Sequence, residues 1–179
     1  MKAVVQRVVD ASVSVAGVVK GAIQRGLLVY LGVAVDDGKN DADWLAEKIA
    51  NLRIFEDQDG KMNLSLLDIV NQFNNVNKIV SEKCIEGGEA VNTVPLGVLA
   101  ISQFTLLGDA RKGRRPSWNG AAPPEKAREL YIYFMEKIKE QGLKCESGEF
   151  QAHMDVTYTN EGPVTIILNS GDRGPGTGD

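Results

Sequence analysis

Ser102 in "ISQFTL" and His153 in "FQAHM" are the first residues to weigh. A hydroxyl nucleophile needs a base, and His153 is the only histidine in the chain. No G-x-S-x-G elbow surrounds any serine. A serine that closes an apolar strand is in most proteins a hydrogen-bonded structural residue, and a histidine beside a surface strand is in most proteins solvated, so the pair does not make a triad. Metal chemistry has less support. In "DQDG", with Asp57 as first ligand of a calcium loop, Lys61 and Met62 occupy the positions that need an acid and a glycine, so the segment reads as an Asp-Gly turn. "GDARKGRR" places Gly108 and Gly113 at phosphate-loop spacing. Arg114 and Arg115 replace the required Lys and Ser/Thr, which removes the magnesium ligand and with it nucleotide triphosphate hydrolysis.

Two features survive this pass. Arg111, Lys112, Arg114 and Arg115 put four cations into five positions of a chain whose net charge is −4, and Trp118 follows them. In a loop this concentrates the positive potential that a phosphate backbone requires, although most charged loops of this size are simply solvated. The second feature is "YTNEGPVTIIL" from Tyr158, where strand-forming residues flank Gly162-Pro163. Proline donates nothing to a ladder, so the pair predicts an edge, a bulge or a turn.

The elements that must position these residues can be outlined from periodicity. "AVVQRVV", "SVSVAG" and "GLLVYLGVAV" predict strands separated by turns between Gly17 and Gly26. Trp44, Leu45, Ile49 and Leu52 predict a helix capped by Asn40. "RIFEDQDGKMN" reads as a short strand and turn, and 69–95, rich in Asn, Glu, Lys and Gly, as an exposed excursion. "LGVLAISQFTL" is a strand buried on both faces, followed by a long loop. A second helix begins at Pro123 or Pro124, carries Ala127, Leu130, Tyr131, Phe134 and Ile138 on its apolar stripe, and ends before Gly142. Strands over 144–150, 153–159 and 164–169 close the domain, and the glycine-rich end from 171 reads as a flexible tail. The fold expected is α+β, a single domain over 1–170 with mixed and antiparallel sheets and two main helices.

Bulk properties agree with an ordinary globular chain: 179 residues, 43% hydrophobic, 25% charged. Cys84 and Cys145 are far apart and form no C-x-x-C pair, so free thiols are expected rather than a disulfide or zinc site. Neither a signal peptide nor a membrane-spanning stretch is legible, which makes a soluble cytoplasmic protein the expectation.

Three segments together resemble the D-aminoacyl-tRNA deacylase family: "SQFTL" at 102–106, "RKGRRPSW" from Arg111, and "NEGPVT" at 160–165. Collinear support comes from "VVQRV", "GLLVYLGV", "DADWLAEKIANLRIFEDQDGKMN", "GAAPPEKARELY" and "FQAHM" across nearly all of 1–169. The resemblance implies a homodimer with a barrel-like core that hydrolyses the ester of D-aminoacyl-tRNA, and of glycyl-tRNA mischarged on tRNA(Ala), as chiral proofreading in translation. It implies no cofactor and no metal. It makes the partner the 3′ end of aminoacylated tRNA. The family's chemistry is assigned to the terminal ribose 2′-hydroxyl acting on its own ester, with backbone N–H groups stabilising the oxyanion.

Carried over by residue, Ser102, Gln103, Phe104, Thr105 and Leu106 line the pocket, with N–H groups around Phe104 and Thr105 as oxyanion donors. Gly162 and Pro163 form a cis-peptide filter that reaches into the partner subunit's site and is held by Arg7. Phe150 and Met154 are pocket walls, Met62 and Asn63 approach from the "KMN" turn, Thr165 binds substrate, and Arg111, Lys112, Arg114 and Arg115 contact tRNA phosphates. Two departures stand out. The 69–95 segment is longer than the family's usual turn, and Gln151 replaces a small residue after Phe150. The competing readings are a relaxed relative that edits L-alanyl-tRNA and a tRNA-binding protein without catalysis.

Overall fold

The computed structural model describes residues 1–83 and 96–173, the side chains of 76–83 excepted. Its backbone element is β1 (Lys2–Val15), one strand where two were expected. The interruption does not occur because β1 stays paired with β8 through the polar stretch, the alternation being reset there by register shifts between Gln6 and Val8 and between Val8 and Asp10. The first half of β1 pairs antiparallel with β3 (Gly26–Gly32), the second half with β2 (Val18–Ile23), and its other edge runs along β8 (Asp155–Asn169). β3 pairs parallel with β6 (Gly97–Ser102), and β6 parallel with β7 (Lys144–Ser147). The sheet curls until β2 meets β7: a Cβ on Gly21 would lie 2.7 Å from the Ser147 carbonyl oxygen, so only glycine fits that near-closure of the barrel.

β3 and β6 are buried on both faces, as expected for β6 from its near-continuous apolar run. Leu28, Leu99 and Ile101 meet Val8, Val13 and Ile23 on one side. On the other, Leu27, Val29, Leu31, Val98 and Ala100 lie under α1 (Lys39–Ala50) and α3 (Pro124–Glu140). α1 starts two residues earlier than expected. Gly38, not Asn40, is the N-cap, because the Asp41 carboxylate reaches back to accept the Gly38 N–H at 2.8 Å. α3 buries Leu130, Tyr131, Phe134 and Ile138, each burial contributing roughly 1.5–3 kcal/mol, and stops at Gly142 with φ 84°.

A third helix corrects the expectation of two. α2 (Leu66–Lys83) occupies much of the segment read as an excursion. Ser65 and Asp68 cap it reciprocally, the Asp68 N–H donating to Ser65 Oγ at 3.2 Å and the Ser65 N–H to Asp68 Oδ2 at 2.8 Å. The asparagines that follow are weak helix formers and hid it. Residues 84–95 of the expected insertion, with Cys84, lie outside the described residues.

The C-terminal strands also needed correction. β7 ends at Ser147, His153 precedes β8, and β8 continues through Gly162-Pro163 instead of breaking there. Two short strands, β4 (Phe55–Glu56) and β5 (Met62–Leu64), form a separate hairpin. At the chain end the first residues of the expected tail form a 3-10 turn (Ser170–Asp172), and Arg173 donates to the Ser170 and Asn40 carbonyls. The rest of that tail, 174–179, lies outside the described residues. No helix among the described residues is long and apolar enough to cross a membrane.

Candidate active site

β6 carries Ser102 to the rim of the sheet beside Leu31 of β3, and the Gln103 N–H donates to the Leu31 carbonyl at 2.8 Å. The chain then enters a 3-10 turn, Phe104–Leu107, whose bonds run from the Leu106 N–H to Gln103 O at 3.3 Å and from the Gly108 N–H to Thr105 O at 3.0 Å. The N–H groups of Phe104 and Thr105 precede the first carbonyl such a turn can supply, so the turn itself does not use them.

Ser102, Gln103 and Phe104 border a cavity of about 590 Å³. β3 contributes Leu31 and the residue after its end contributes Val33 to the walls, α3 contributes Ala127 and Tyr131, and the turn before β8 contributes Phe150, His153 and Met154. The Tyr131 hydroxyl donates to the Ala100 carbonyl at 2.7 Å, and burial pushes its pKa well above the ordinary phenol range. Tyr131 and Phe150 stack in a tilted arrangement, centroids 6.0 Å apart. Among the described residues that line the cavity there is no carboxylate. Cys145 offers no alternative nucleophile: burial pushes its thiol up to about 12, leaving it protonated at neutral pH. Sequence reasoning placed Tyr131 and Ala127 on a core stripe and Ala121 and Ala122 in a loop; "GAAPPEKARELY" was the available signal for their place at the cavity.

The expected site residues divide into two groups. Ser102, Gln103, Phe104, Phe150 and Met154 are at the cavity. Thr105 and Leu106 sit on the same turn but outside the lining; Thr105 is exposed, and its Oγ1 accepts from the Gln103 amide. The other group surrounds Arg7. Between the pairs Val8↔Asn160 and Gln6↔Thr165, β1 has only Arg7 where β8 has Glu161, Gly162, Pro163 and Val164. Those four residues bulge outward, so the missing proline N–H leaves no gap in the ladder. The Gly162-Pro163 peptide is cis, and both residues are exposed.

This bulge is held from several sides. The Asn160 side chain spans it, its Oδ1 accepting the Val164 N–H at 2.9 Å and its Nδ2 donating to Val164 O at 3.4 Å. Arg7, 3% exposed, donates from Nη1 to Ile54 O at 2.5 Å and sets Nη2 3.7 Å from Glu56. Its Nε faces Glu161 Oε2 at 3.3 Å, close enough for ion pairing but without good hydrogen-bond geometry. Arg25 grips the same carboxylate through Nε and Nη2 at 3.3 and 3.2 Å. Met62, exposed, pairs with Glu56 across the β4–β5 hairpin and belongs to this patch. Asn63 is tied to Asp57 at 2.5 Å. Thr165 Oγ1 accepts from Gln6 at 3.2 Å beside the bulge.

The two groups are far apart within one chain. Ser102 is level with Leu31, Ala3 and Leu168, whereas Gly162 is level with Arg7, four residues further along β1 and three strands away from β6. Along the sheet, at about 3.3 Å per residue and 4.8 Å per strand, this is roughly 20 Å.

The basic loop is exposed from Arg111 to Arg115. Arg111 is ion-paired to Asp109 at 2.6 Å, and that partner, through its side-chain hydrogen bonds, holds the Asp109 carboxyl below the usual range. The "DQDG" turn is built as expected, with Asp57 Oδ1 accepting the N–H groups of Asp59 and Lys61 at 2.9 and 3.0 Å. Among the described residues no group of His, Cys, Asp or Glu is placed to hold a metal.

A family model described as D-Tyr-tRNA(Tyr) deacylase matches residues 4–76 and 74–169. Curated relatives include a D-aminoacyl-tRNA deacylase of Koribacter versatilis, 53% identical over 95% of this chain and 97% of its own length. Another, with the same name, from Thermotoga petrophila is 51% identical over 95% and 97%. Among solved structures, one titled c-Myc DNA Unwinding Element Binding Protein superposes with a TM-score of 0.75 at 36% identity, over 94% of this chain and 98% of that one. A probable eukaryotic D-amino acid tRNA deacylase superposes with a TM-score of 0.69 at 15% identity, over 93% and 97%, a likeness of fold.

Proposed function

The chain belongs to the D-Tyr-tRNA(Tyr) deacylase family and hydrolyses the ester bond of D-aminoacyl-tRNA, and from that premise we propose that each active site is assembled from two copies of it. The observation that carries this reading is the separation of roughly 20 Å between the Ser102 cavity and the exposed Gly162-Pro163 bulge. A pocket and a rigid rim that share one substrate but sit that far apart in a single chain can meet only across an isologous interface. The bulge of one copy then faces the cavity of the other, and its fixed backbone leaves space for a D side chain or for glycine but not for an L side chain.

In the cavity the ester carbonyl is set against the N–H groups of Phe104 and Thr105. Water, assisted by the neighbouring ribose 2′-hydroxyl, adds to the carbonyl carbon, and the oxyanion takes those two hydrogen bonds. Collapse breaks the ester bond and releases the amino acid and the 3′-hydroxyl of the tRNA. That no carboxylate lines the cavity among the described residues is what favours substrate assistance over a Ser102–His153 dyad. Ser102→Ala is accordingly expected to keep activity within about tenfold, where removal of a true nucleophile costs on the order of 10⁶. An acyl group trapped on Ser102, with total loss in the alanine variant, overturns this mechanism.

Lys112, Arg114 and Arg115, exposed on the basic loop, take the tRNA phosphates. Charge removal at each is expected to raise KM without changing kcat and to lower the slope of log KM against log salt by about 1. The same action on glycyl-tRNA(Ala) is expected, and the substrate places the work in the cytoplasm. Hydrolysis of D-Tyr-tRNA and L-Tyr-tRNA side by side is the direct test. Equal rates contradict the filter, and release from neither contradicts the activity itself.

A further inference from the structure

Beside the cavity, and separated from it by one ridge of backbone, lies a second and more open cleft of about 850 Å³. The ridge is the Ala34↔Ala121 bridge together with the Val35 N–H bonded to Gly120 O at 3.1 Å. Val33 and Ala122 face the first cavity, while Val35 and Gly120 face the cleft. Lys2, Asp36, the ion-paired Asp109 and Arg111, Ser117 and Asn119 line it, with Gly108 and Ala110. Its acids and bases offset each other, so it is suited to polar edges rather than to a phosphate. The exposed cations Lys112, Arg114 and Arg115 stand on the loop that continues from its wall.

An aromatic pair stands at the same ridge. Phe104 borders the first cavity, and Trp118 lies between the cleft residues Ser117 and Asn119. The rings meet edge to face with centroids 5.3 Å apart, yet they remain 57% and 40% exposed. Exposed aromatic rings next to polar groups and a cationic rim are what unstacked single-stranded nucleic acid requires, because every base has a face to stack and an edge to satisfy. Sequence reasoning noted Trp118 only as a neighbour of the basic run.

We propose that this cleft and Trp118 form a subsite for the nucleotides that precede the terminal adenosine, with one base stacked on the Trp118 ring and its edge bonded by Asn119 and Ser117. The inference rests on the reading of the Ser102 cavity as the place of the terminal ester. The ridge then acts as a saddle: the last nucleotide drops into the cavity on one side, and the single-stranded tail leaves through the cleft on the other toward the basic loop. Selection for the CCA end thus comes from a surface separate from the one that checks chirality.

The test uses the trinucleotide CCA and adenosine as inhibitors of D-Tyr-tRNA hydrolysis by the full chain and by Trp118→Ala, Trp118→Phe and Asn119→Ala. On the unaltered protein CCA is expected to inhibit at concentrations roughly tenfold or more below adenosine, the gain of one stacked base. Trp118→Ala and Asn119→Ala are expected to abolish most of that advantage while the potency of adenosine stays unchanged, and Trp118→Phe is expected to retain it. Binding is read independently in a Trp44→Phe background, where quenching of the remaining Trp118 fluorescence by CCA, and not by adenosine, is expected. Equal potency of CCA and adenosine, an advantage that survives both variants, or no inhibition by either molecule overturns the subsite. A parallel loss for adenosine means that the variants act through the first cavity, which also overturns it; loss of D-over-L preference with the CCA advantage intact contradicts the cavity and filter reading instead.

Discussion

Replacing Arg7 with methionine is expected to lower the unfolding free energy by about 2–4 kcal/mol and, at the same time, to admit L-Tyr-tRNA as a substrate. Arg7 is 3% exposed and spends its guanidinium on Ile54 O at 2.5 Å and on the Glu161 carboxylate at 3.3 Å. Its loss leaves that carbonyl without a donor in a buried place. The penalty stays below that of a fully buried pair, because Glu161 is part-exposed and keeps its two bonds from Arg25. Urea unfolding reads the first effect. The second follows because the Gly162-Pro163 bulge loses the guanidinium behind it, and it is read as the ratio of D- to L-Tyr-tRNA hydrolysis. A destabilised variant that keeps its D preference assigns Arg7 to the fold alone.

Gly162→Ala is expected to reduce kcat/KM for D-Tyr-tRNA by roughly a hundredfold, and a mixing experiment decides where the defect lies. Gly162 has φ 117°, and an added Cβ would meet Val164 Cγ2 at 2.9 Å and Arg7 Nη2 at 3.0 Å, so the bulge has to shift. A misplacement of about 1 Å near the reacting centre is enough for a hundredfold loss. A second inactive variant, Ala127→Phe, fills the cavity from α3 and leaves the bulge alone. When the two are unfolded together and refolded in equal amounts, about half of the dimers are mixed. Each mixed dimer has one normal cavity facing one normal bulge, which gives about a quarter of the unaltered activity. If the filter worked within its own chain, no mixed dimer would have an intact site and no activity would return.

Residue type and period were sufficient to read β3 and β6, α1 and α3, and the turns at Gly60 and Gly142. Each of these depends on neighbours within a few positions: an apolar run, a 3.6-residue stripe, a residue tolerant of positive φ. Where capping competed with composition the reading went astray. The Ser65–Asp68 box starts α2, but the asparagines after it argue against a helix, and the N-cap of α1 moved from Asn40 to Gly38 because a carboxylate three residues on satisfied its N–H. β1 looked like two strands and β8 was broken on paper at Gly162-Pro163. In both, pairing along a neighbour overrode the local preference, β8 by placing its excess residues opposite Arg7.

The candidate site residues were legible as a set because "SQFTL", "RKGRRPSW" and "NEGPVT" carry family resemblance, and the family model and the relatives show the same family. Their distribution in space was not legible. Nothing local in the chain says that Ser102 and Gly162 fall three strands apart, that Arg25 shares Glu161 with Arg7, or that Trp118 meets Phe104 edge to face, because register and sheet curvature are settled by contacts between residues distant in sequence. The sequence by itself therefore determined the candidate groups and most of the elements that carry them; only the tertiary structure decided that they fall into two separate clusters, since the distance between those is a sum of strand spacings that no periodicity encodes.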